Sequence, residues 1–250
     1  MTVHAQPMNA MLLAAGRGER MRPLTDTTPK PMLLVNGRPL IAWHLDALQQ
    51  AGFRHVVINV AHLGQQIIDF VGDGQSFGLN VRFSLEPEGA LETAGGIATA
   101  EPWRGVNGEL IDAPFLVINA DVWTDWPRRH AQDIRNADFQ ALRPPRCHLV
   151  LVTNPSHHPH GDFSLAPASE NSARTPQAVT APRAGHTLTF SGVGVYDRRM
   201  FDDIQPHRRA ALAPLLHHAI AEGLACGSHY TGVWMDIGTQ ERLNELNRHR

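Results

Sequence analysis

The chain has 250 residues, 42% of them hydrophobic, with a formal net charge of −2 and no long basic run. This length is sufficient for a full core, and the charge argues against nucleic acid as a main partner. The apolar run after residues 1–7 is too short for a signal peptide or a membrane span. Cys147 and Cys226 stand alone, which favours a reducing compartment over a disulfide framework. We therefore expect a cytoplasmic protein without a membrane partner.

Short apolar runs alternate with helical patterns through the first part of the chain. Buried strands are predicted at 10–14, 56–60, 81–85, 115–118 and 149–152. Helical spacing predicts a helix through residues 41–48, which ends before Gly52, and another over 63–71. The alternation predicts an α/β fold with a doubly wound, mainly parallel sheet and helices on both faces, in three layers α/β/α. Ligands of such sheets bind beyond the carboxyl ends of the strands.

The later part of the chain is less regular. Residues 167–185 are rich in Ala, Pro, Ser and Thr without periodicity, which predicts a flexible surface loop. Beyond it, the pattern predicts strands at 187–190, 193–196 and 229–234, and helices at 208–223 and 240–248. We predict a single domain over residues 1–250, with residues 1–7 as an N-terminal tail.

The only lysine, Lys30, lies between two prolines, whereas the other 21 basic residues are arginine. Lysine is a compact point charge and arginine a wide planar fork, so a lone lysine here indicates chemistry that arginine cannot supply. Gly16 and Gly18 precede it in a loop whose backbone could approach phosphates closely. Together with Arg20 and Arg22, Lys30 gives this loop three cations, which fits a triphosphate. The loop is neither a Walker A motif nor a dinucleotide fingerprint.

Two aspartates, Asp121 and Asp236, follow predicted strands and should lie where such a sheet carries its site. Magnesium takes hard oxygen ligands, usually one or two carboxylates with phosphate and water oxygens. For a lone aspartate at a strand end, a helix cap is the alternative. Two of them in a chain with a phosphate-suited loop favour the metal.

Residues 13–25, with the Pro-Lys-Pro at 29–31, resemble the signature of the sugar-1-phosphate nucleotidylyltransferases. The resemblance implies a Rossmann-like nucleotidyltransferase fold, a nucleoside triphosphate and a sugar-1-phosphate as substrates, and Mg²⁺ as cofactor. It implies that Lys30 and Arg20 are catalytic and that Asp121 and Asp236 hold the metal, since their surroundings resemble the family's Asn-Gly-Asp and Trp-x-Asp-Ile-Gly-Thr. The implied nucleotide-binding residues are Ala14, Ala15, Gly16, Gly18, Glu19, Arg20, Lys30, Thr93, Gly95 and Gly96.

Residues 91–96 resemble the family's Leu-Gly-Thr-Ala-Gly segment, which implies contact with the nucleobase and sugar. Glu92 replaces the usual glycine there, and Ala120 replaces the glycine before Asp121. The alternative for this segment is an ordinary helix start with Thr93 as its cap.

Residues 154–163 and 189–192 resemble a narrower branch, the N-acetylmuramate-α-1-phosphate uridylyltransferases of cell-wall recycling. This implies UTP as donor and a sugar-phosphate site that includes Asn119, Asn154, Asp162 and Gly192. The histidines at 157, 158 and 160 lack the ligand spacing of a zinc site. Mannose-1-phosphate with GTP, or another sugar-1-phosphate, remains an alternative substrate pair. A non-catalytic subunit that only binds sugar nucleotides is an alternative of a different class. The sequence does not predict an oligomeric state.

Overall fold

A computed structural model describes residues 8–87, 91–105, 107–126, 147–167 and 176–248. The predicted tail at 1–7 lies outside this range. The strands of the described structure, in chain order, are β1 (Ala10–Leu13), β2 (Leu34–Val35), β3 (Arg38–Pro39), β4 (His55–Val60), β5 (Asn80–Leu85), β6 (Phe115–Asn119), β7 (Val122–Thr124), β8 (Cys147–Val152), β9 (Phe163–Leu165), β10 (Gln177–Thr180), β11 (Thr187–Tyr196), β12 (Ala225–Tyr230) and β13 (Trp234–Asp236). Its helices are α1 (Leu40–Gln50), α2 (Gly64–Val71), α3 (Glu92–Ala100), α4 (Leu212–Ala221) and α5 (Gln240–Arg248).

The main sheet is mixed, with nine strands in the order β5-β4-β1-β6-β11-β8-β12-β10-β9 within the described ranges. The first four strands in this order, β5, β4, β1 and β6, are parallel, as the βα alternation predicts. Strand β11 then runs antiparallel to both of its neighbours, β6 and β8. Strands β8 and β12 are parallel again, and β10 and β9 close the sheet as antiparallel strands. The sheet is therefore parallel in its first half and mixed in its second.

Helices cover both faces of the sheet, which confirms the three-layer α/β/α prediction. Alternate residues of β1 point to opposite faces: Leu12 packs with α1 and α2, and Met11 packs with α3 and α4. A third apolar cluster joins α5 to Trp123 of β7 and to the loop after β1. None of the helices in the described segments is long and apolar enough to cross a bilayer.

Four predictions differ from the structure. The strands predicted at 187–190 and 193–196 are one strand, β11, with a shift of register against β8 between Phe190 and Gly194. Residues 177–180 of the predicted loop form β10, because Val179 is buried against β12 and β9. Residues 168–175 of that loop lie outside the described residues. The helix predicted at 208–223 begins only at Leu212, because the backbone of Ala210 bonds to Leu91 and Gly95 of the α3 segment. The strand predicted at 229–234 is two strands, β12 and β13, separated by a turn.

Candidate functional site

Two neighbouring cavities lie at the carboxyl ends of the parallel strands. The first, of about 370 Å³, is formed by the loop after β1 together with residues from β4, β6 and α3. The second, of about 680 Å³, lies between α4, β6, β9 and β11. The two cavities share a wall formed by Leu13, Glu92, Thr93 and Asn119. The two cavities therefore adjoin at these four residues, and ligands bound in both would lie next to each other there.

The glycine-rich loop forms one side of the first cavity, whose lining includes Ala14, Ala15, Gly16, Gly18, Glu19, Arg20 and Lys30. Gly18 has a left-handed backbone, with φ of +70°, and a Cβ there would lie 3.0 Å from Cγ2 of Thr25. The Thr25 hydroxyl donates to the Gly18 carbonyl at 2.9 Å, which fixes this turn. Apart from Gly16 and its two chain neighbours, no heavy atom of the described residues lies within 4 Å of where a Gly16 Cβ would be. The backbone at Gly16 therefore borders space that a ligand can fill.

The cations of this loop are not equivalent. Arg22 pairs with Asp26 at 2.8 Å, and Arg17 donates to the Thr25 carbonyl at 2.7 Å and to Asp26 at 3.1 Å. Arg20 lines the first cavity and makes no ion pair within the described part of the chain. Of the two arginines predicted to meet a triphosphate, Arg20 is thus available and Arg22 is committed to Asp26.

Lys30 is buried in a short 3₁₀ turn, and only 9% of its side chain is exposed. Its Nζ lies 2.5 Å from Oδ2 of Asp121, and both residues line the first cavity. Asp121 stands in the turn between β6 and β7, so it is not a helix cap. The lone lysine and one predicted metal ligand therefore form a charge pair on the cavity wall.

The second predicted metal ligand is brought next to the first by sheet pairing. Asp236 ends β13 opposite Val122 of β7, and the next amide, that of Ile237, donates to the Asp121 carbonyl at 3.0 Å. Arg242 lies 2.9 Å from Oδ2 of Asp236. A Cβ at Gly238 would come within 3.0 Å of the Arg20 guanidinium, so Arg20 extends to this strand end.

Two carboxylates on paired strands offer the hard oxygen atoms that Mg²⁺ prefers. Within the described residues, Lys30 contacts Oδ2 of Asp121, and Arg242 and His157 contact Oδ2 of Asp236. Oδ1 of each carboxylate is left for another partner. No group of three or more His, Cys, Asp or Glu suited to a metal ion occurs among residues that the structure describes. The two carboxylates, supplemented by phosphate and water oxygens, would give a set of oxygen donors that fits Mg²⁺.

The predicted sugar-phosphate residues Asn119, Asp162 and Gly192 line the second cavity. Gly192 has φ of +78°, and a Cβ there would lie 2.7 Å from the Asn119 amide nitrogen, so only glycine fits beside Asn119. Asp162 accepts a hydrogen bond from the Phe190 amide at 2.7 Å and lies 3.0 Å from Nε2 of His158.

Asn154 lines neither cavity in the part of the chain that is described. Its amide donates to the carbonyls of Pro159 and Thr187, each at 3.1 Å, and accepts from the Thr189 hydroxyl at 2.9 Å. These bonds hold the turn that leads to Asp162. Contact between Asn154 and a sugar phosphate stays a prediction, whereas the geometry gives this residue a supporting role.

The α3 segment divides its predicted residues in the same way. Thr93 lines both cavities and does not cap the helix, which begins at Glu92 without a side-chain cap. Gly95 and Gly96 are buried behind the wall: a Cβ would lie 2.2 Å from the Arg208 carbonyl at Gly95 and 2.6 Å from Glu86 at Gly96. Close packing therefore accounts for both glycines.

Asn59 and Glu86 line the first cavity and were not predicted. Oδ1 of Asn59 accepts from the Ala14 amide at 2.8 Å, and its Nδ2 donates to Glu86 at 2.7 Å. Glu86 in turn accepts from the Leu91 amide at 3.3 Å. This buried chain of hydrogen bonds joins the glycine-rich loop to the start of α3. An asparagine within the apolar run Val-Val-Ile-Asn-Val was the signal in the sequence, since a buried amide needs a partner.

The fold and the paired cavities are those of a nucleotidyltransferase. The profile of the nucleotidyl transferase family matches residues 9–250, and the chain belongs to that family. The chain is 51% identical, over 238 residues, to the N-acetylmuramate alpha-1-phosphate uridylyltransferase of Neisseria meningitidis serogroup B, with 95% of this chain and 96% of that protein covered. A protein of the same name from Caulobacter vibrioides is 32% identical and is covered to 92%.

More distant relatives have other substrates in their names. The mannose-1-phosphate guanylyltransferase catalytic subunit beta of Danio rerio is 28% identical, and the match covers 92% of this chain but 61% of that protein. A crystal structure described as a glucose-1-phosphate thymidylyltransferase from Bacillus anthracis superposes with a TM-score of 0.75 at 20% identity, covering 96% of this chain and 94% of that one. At that identity the superposition confirms the fold alone.

Proposed function

We propose that the protein transfers a uridylyl group from UTP to N-acetylmuramate α-1-phosphate, giving the UDP-sugar and pyrophosphate. The observation that carries this proposal is the wall shared by the two cavities, beside which Lys30 and Asp121 lie. A triphosphate in the first cavity and a sugar phosphate in the second would meet there. The choice of UTP and of this sugar is supported by the nearly full-length similarity to the meningococcal protein of that name.

In the proposed reaction, a phosphate oxygen of the sugar-1-phosphate attacks the α-phosphorus of UTP in line. A new P–O bond forms, the bond from the α-phosphorus to the bridging oxygen breaks, and pyrophosphate leaves with that electron pair. The attacking oxygen is already anionic, so no general base is required. The protein must therefore act by positioning and by neutralising charge. Arg20 and Lys30 are the cations of the first cavity suited to that role.

We further propose that Asp121 and Asp236 hold Mg²⁺, which would supply additional positive charge to the phosphates when bound. Lys30 and Arg242 already pair with these two carboxylates. They keep both negative charges compensated, since an uncompensated charge that is partly buried would be costly.

A cytoplasmic location is part of the same proposal. The chain has two cysteines, Cys147 and Cys226, without the spacing of a disulfide framework, and such cysteine usage favours a reducing compartment. N-acetylmuramate is a sugar of peptidoglycan, so the reaction would serve peptidoglycan recycling.

The test is pyrophosphate release with UTP or GTP against a panel of sugar-1-phosphates. We expect the highest kcat/KM with UTP and N-acetylmuramate α-1-phosphate. A preference for GTP with mannose-1-phosphate would overturn the substrate assignment and keep nucleotidyl transfer. Sugar-nucleotide binding without pyrophosphate release from any pair would support the non-catalytic alternative, against which the intact Lys30–Asp121 pair now counts.

A further inference from the structure

Besides the buried Tyr196, the wall of the second cavity carries three ionisable side chains within the described ranges, namely Glu92, Asp162 and His217. Both carboxylates already have partners. Glu92 pairs with Arg209 at 2.6 Å, and Asp162 pairs with His158 at 3.0 Å in addition to its bond from the Phe190 amide. Glu92 is therefore compensated by an arginine, and Asp162 is held by two hydrogen-bond partners.

His217 is the remaining ionisable group of this wall, and it differs from the two acids. It projects from α4, and its ring stands edge-on to Phe163, with centroids 6.0 Å apart and planes at 83°. Nothing in the described part of the chain hydrogen-bonds to its imidazole or forms an ion pair with it. Phe163 is buried and contacts the ring, whereas His217 itself is exposed, so its ring nitrogens stay available to a ligand.

The residues next to His217 leave space in front of it. Ala211 and Ala213 line the same cavity from the start of α4, and neither can fill it with more than a methyl group. The second cavity, at about 680 Å³, is larger than the first cavity, at about 370 Å³. A sugar with a substituent on its ring could extend toward α4 and reach the imidazole.

We infer that His217 donates a hydrogen bond to an acidic substituent of the sugar, the lactyl carboxylate of N-acetylmuramate α-1-phosphate. This inference rests on the proposed function and names a residue that sets its sugar specificity. A carboxylate placed among Glu92 and Asp162 requires a donor, and His217 is a side chain of that wall that can donate without giving up a partner among the described residues. A hydrogen bond to a charged group contributes more than a neutral one.

The test compares kcat/KM for two acceptors that differ only in the lactyl ether, N-acetylmuramate α-1-phosphate and N-acetylglucosamine α-1-phosphate, each with UTP. We expect His217→Ala to lower the ratio of the first to the second by about tenfold or more. His217→Arg, which restores a donor, should recover most of the ratio. The matched control is His218→Ala, the next histidine of the same helix, which is exposed as His217 is but does not line the cavity, and it should keep the wild-type ratio.

The possible results separate this inference from the function on which it rests. If the wild-type enzyme prefers the lactyl sugar and His217→Ala keeps that preference, the inference fails and the proposed function stands. Equal losses with both acceptors, without recovery in His217→Arg, would show a packing role and also overturn it. If the wild-type enzyme does not prefer the lactyl sugar, the substrate assignment and this inference fail together.

Discussion

Replacing Lys30 with arginine tests whether the site needs an ammonium group or only a positive charge. The Lys30 side chain is 9% exposed and lies 2.5 Å from Asp121, so the larger guanidinium must fit into a packed position. Overpacking typically costs about 1–3 kcal/mol, and a domain of this size loses about 2–4 °C of Tm per kcal/mol. The variant should therefore remain folded at 25 °C, and its activity can be compared directly with that of the wild type.

Catalysis should suffer much more than stability in Lys30→Arg. A preorganised charged contact with the transition state is worth about 10² to 10³ in kcat, and a planar fork cannot follow the phosphate oxygens as a compact ammonium does. We expect kcat for pyrophosphate release at saturating substrates to fall by about 10². The control is Arg22→Lys, an exchange on the same loop at a half-exposed residue that pairs with Asp26. A kcat for Lys30→Arg within twofold of wild type would refute the argument.

Three further predictions concern the metal, the sugar cavity and pH. Asp121→Asn and Asp236→Asn should each abolish magnesium-dependent turnover with the fold intact; normal rates at ordinary Mg²⁺ would remove that residue from the site. Gly192→Ala should raise KM for the sugar phosphate several-fold and cost about 1–3 kcal/mol in thermal unfolding, because its Cβ meets Asn119 at 2.7 Å; an unchanged KM would contradict this. Burial lowers the pKa of His148 from 6.5 to about 4, so below pH 6.5 the unfolded chain binds a proton that the folded chain does not. The Tm should consequently fall between pH 6.5 and 4 and recover as pH rises, and it should fall less in His148→Gln.

The parts of the site that the sequence predicted are those set by local pattern. The glycine-rich loop and Lys30 lie within one short segment, so their proximity follows from chain connectivity. Asp121 could be placed because it follows an apolar strand, and the carboxyl ends of parallel strands share one edge. Its neighbour Asp236 required the pairing of β13 with β7, which is a contact between distant segments; the motif resemblance suggested it, and the strand pairing gives the physical reason.

What the sequence could not show depends on contacts between segments that are far apart in the chain. Glu92 illustrates this: it was seen only as a replacement for glycine, yet it has a left-handed φ of +55° and pairs with Arg209 at 2.6 Å. A non-glycine residue in that conformation is uncommon, and where it is strained it persists only with compensating contacts. The ion pair between Arg209 and Glu92, which lines the second cavity, is such a contact. Residues 208–210 were predicted as helix because their dependence on α3 is not visible in their own pattern.

The mixed character of the sheet explains why two different substrates can meet in this fold. The parallel strands supply the phosphate loop and Asn59, which belong to the first cavity. Strand β11 runs antiparallel to β6 and pairs with it from Val193 onward, and Gly192, just before that point, lies against Asn119 and lines the second cavity. Asn119 ends β6 at this boundary and borders both cavities. A sheet that stayed parallel would need a crossover connection at this place, whereas the reversed strand brings Gly192 directly against Asn119. The proposed meeting point of the two substrates is thus the place where β11 reverses the strand direction of the sheet.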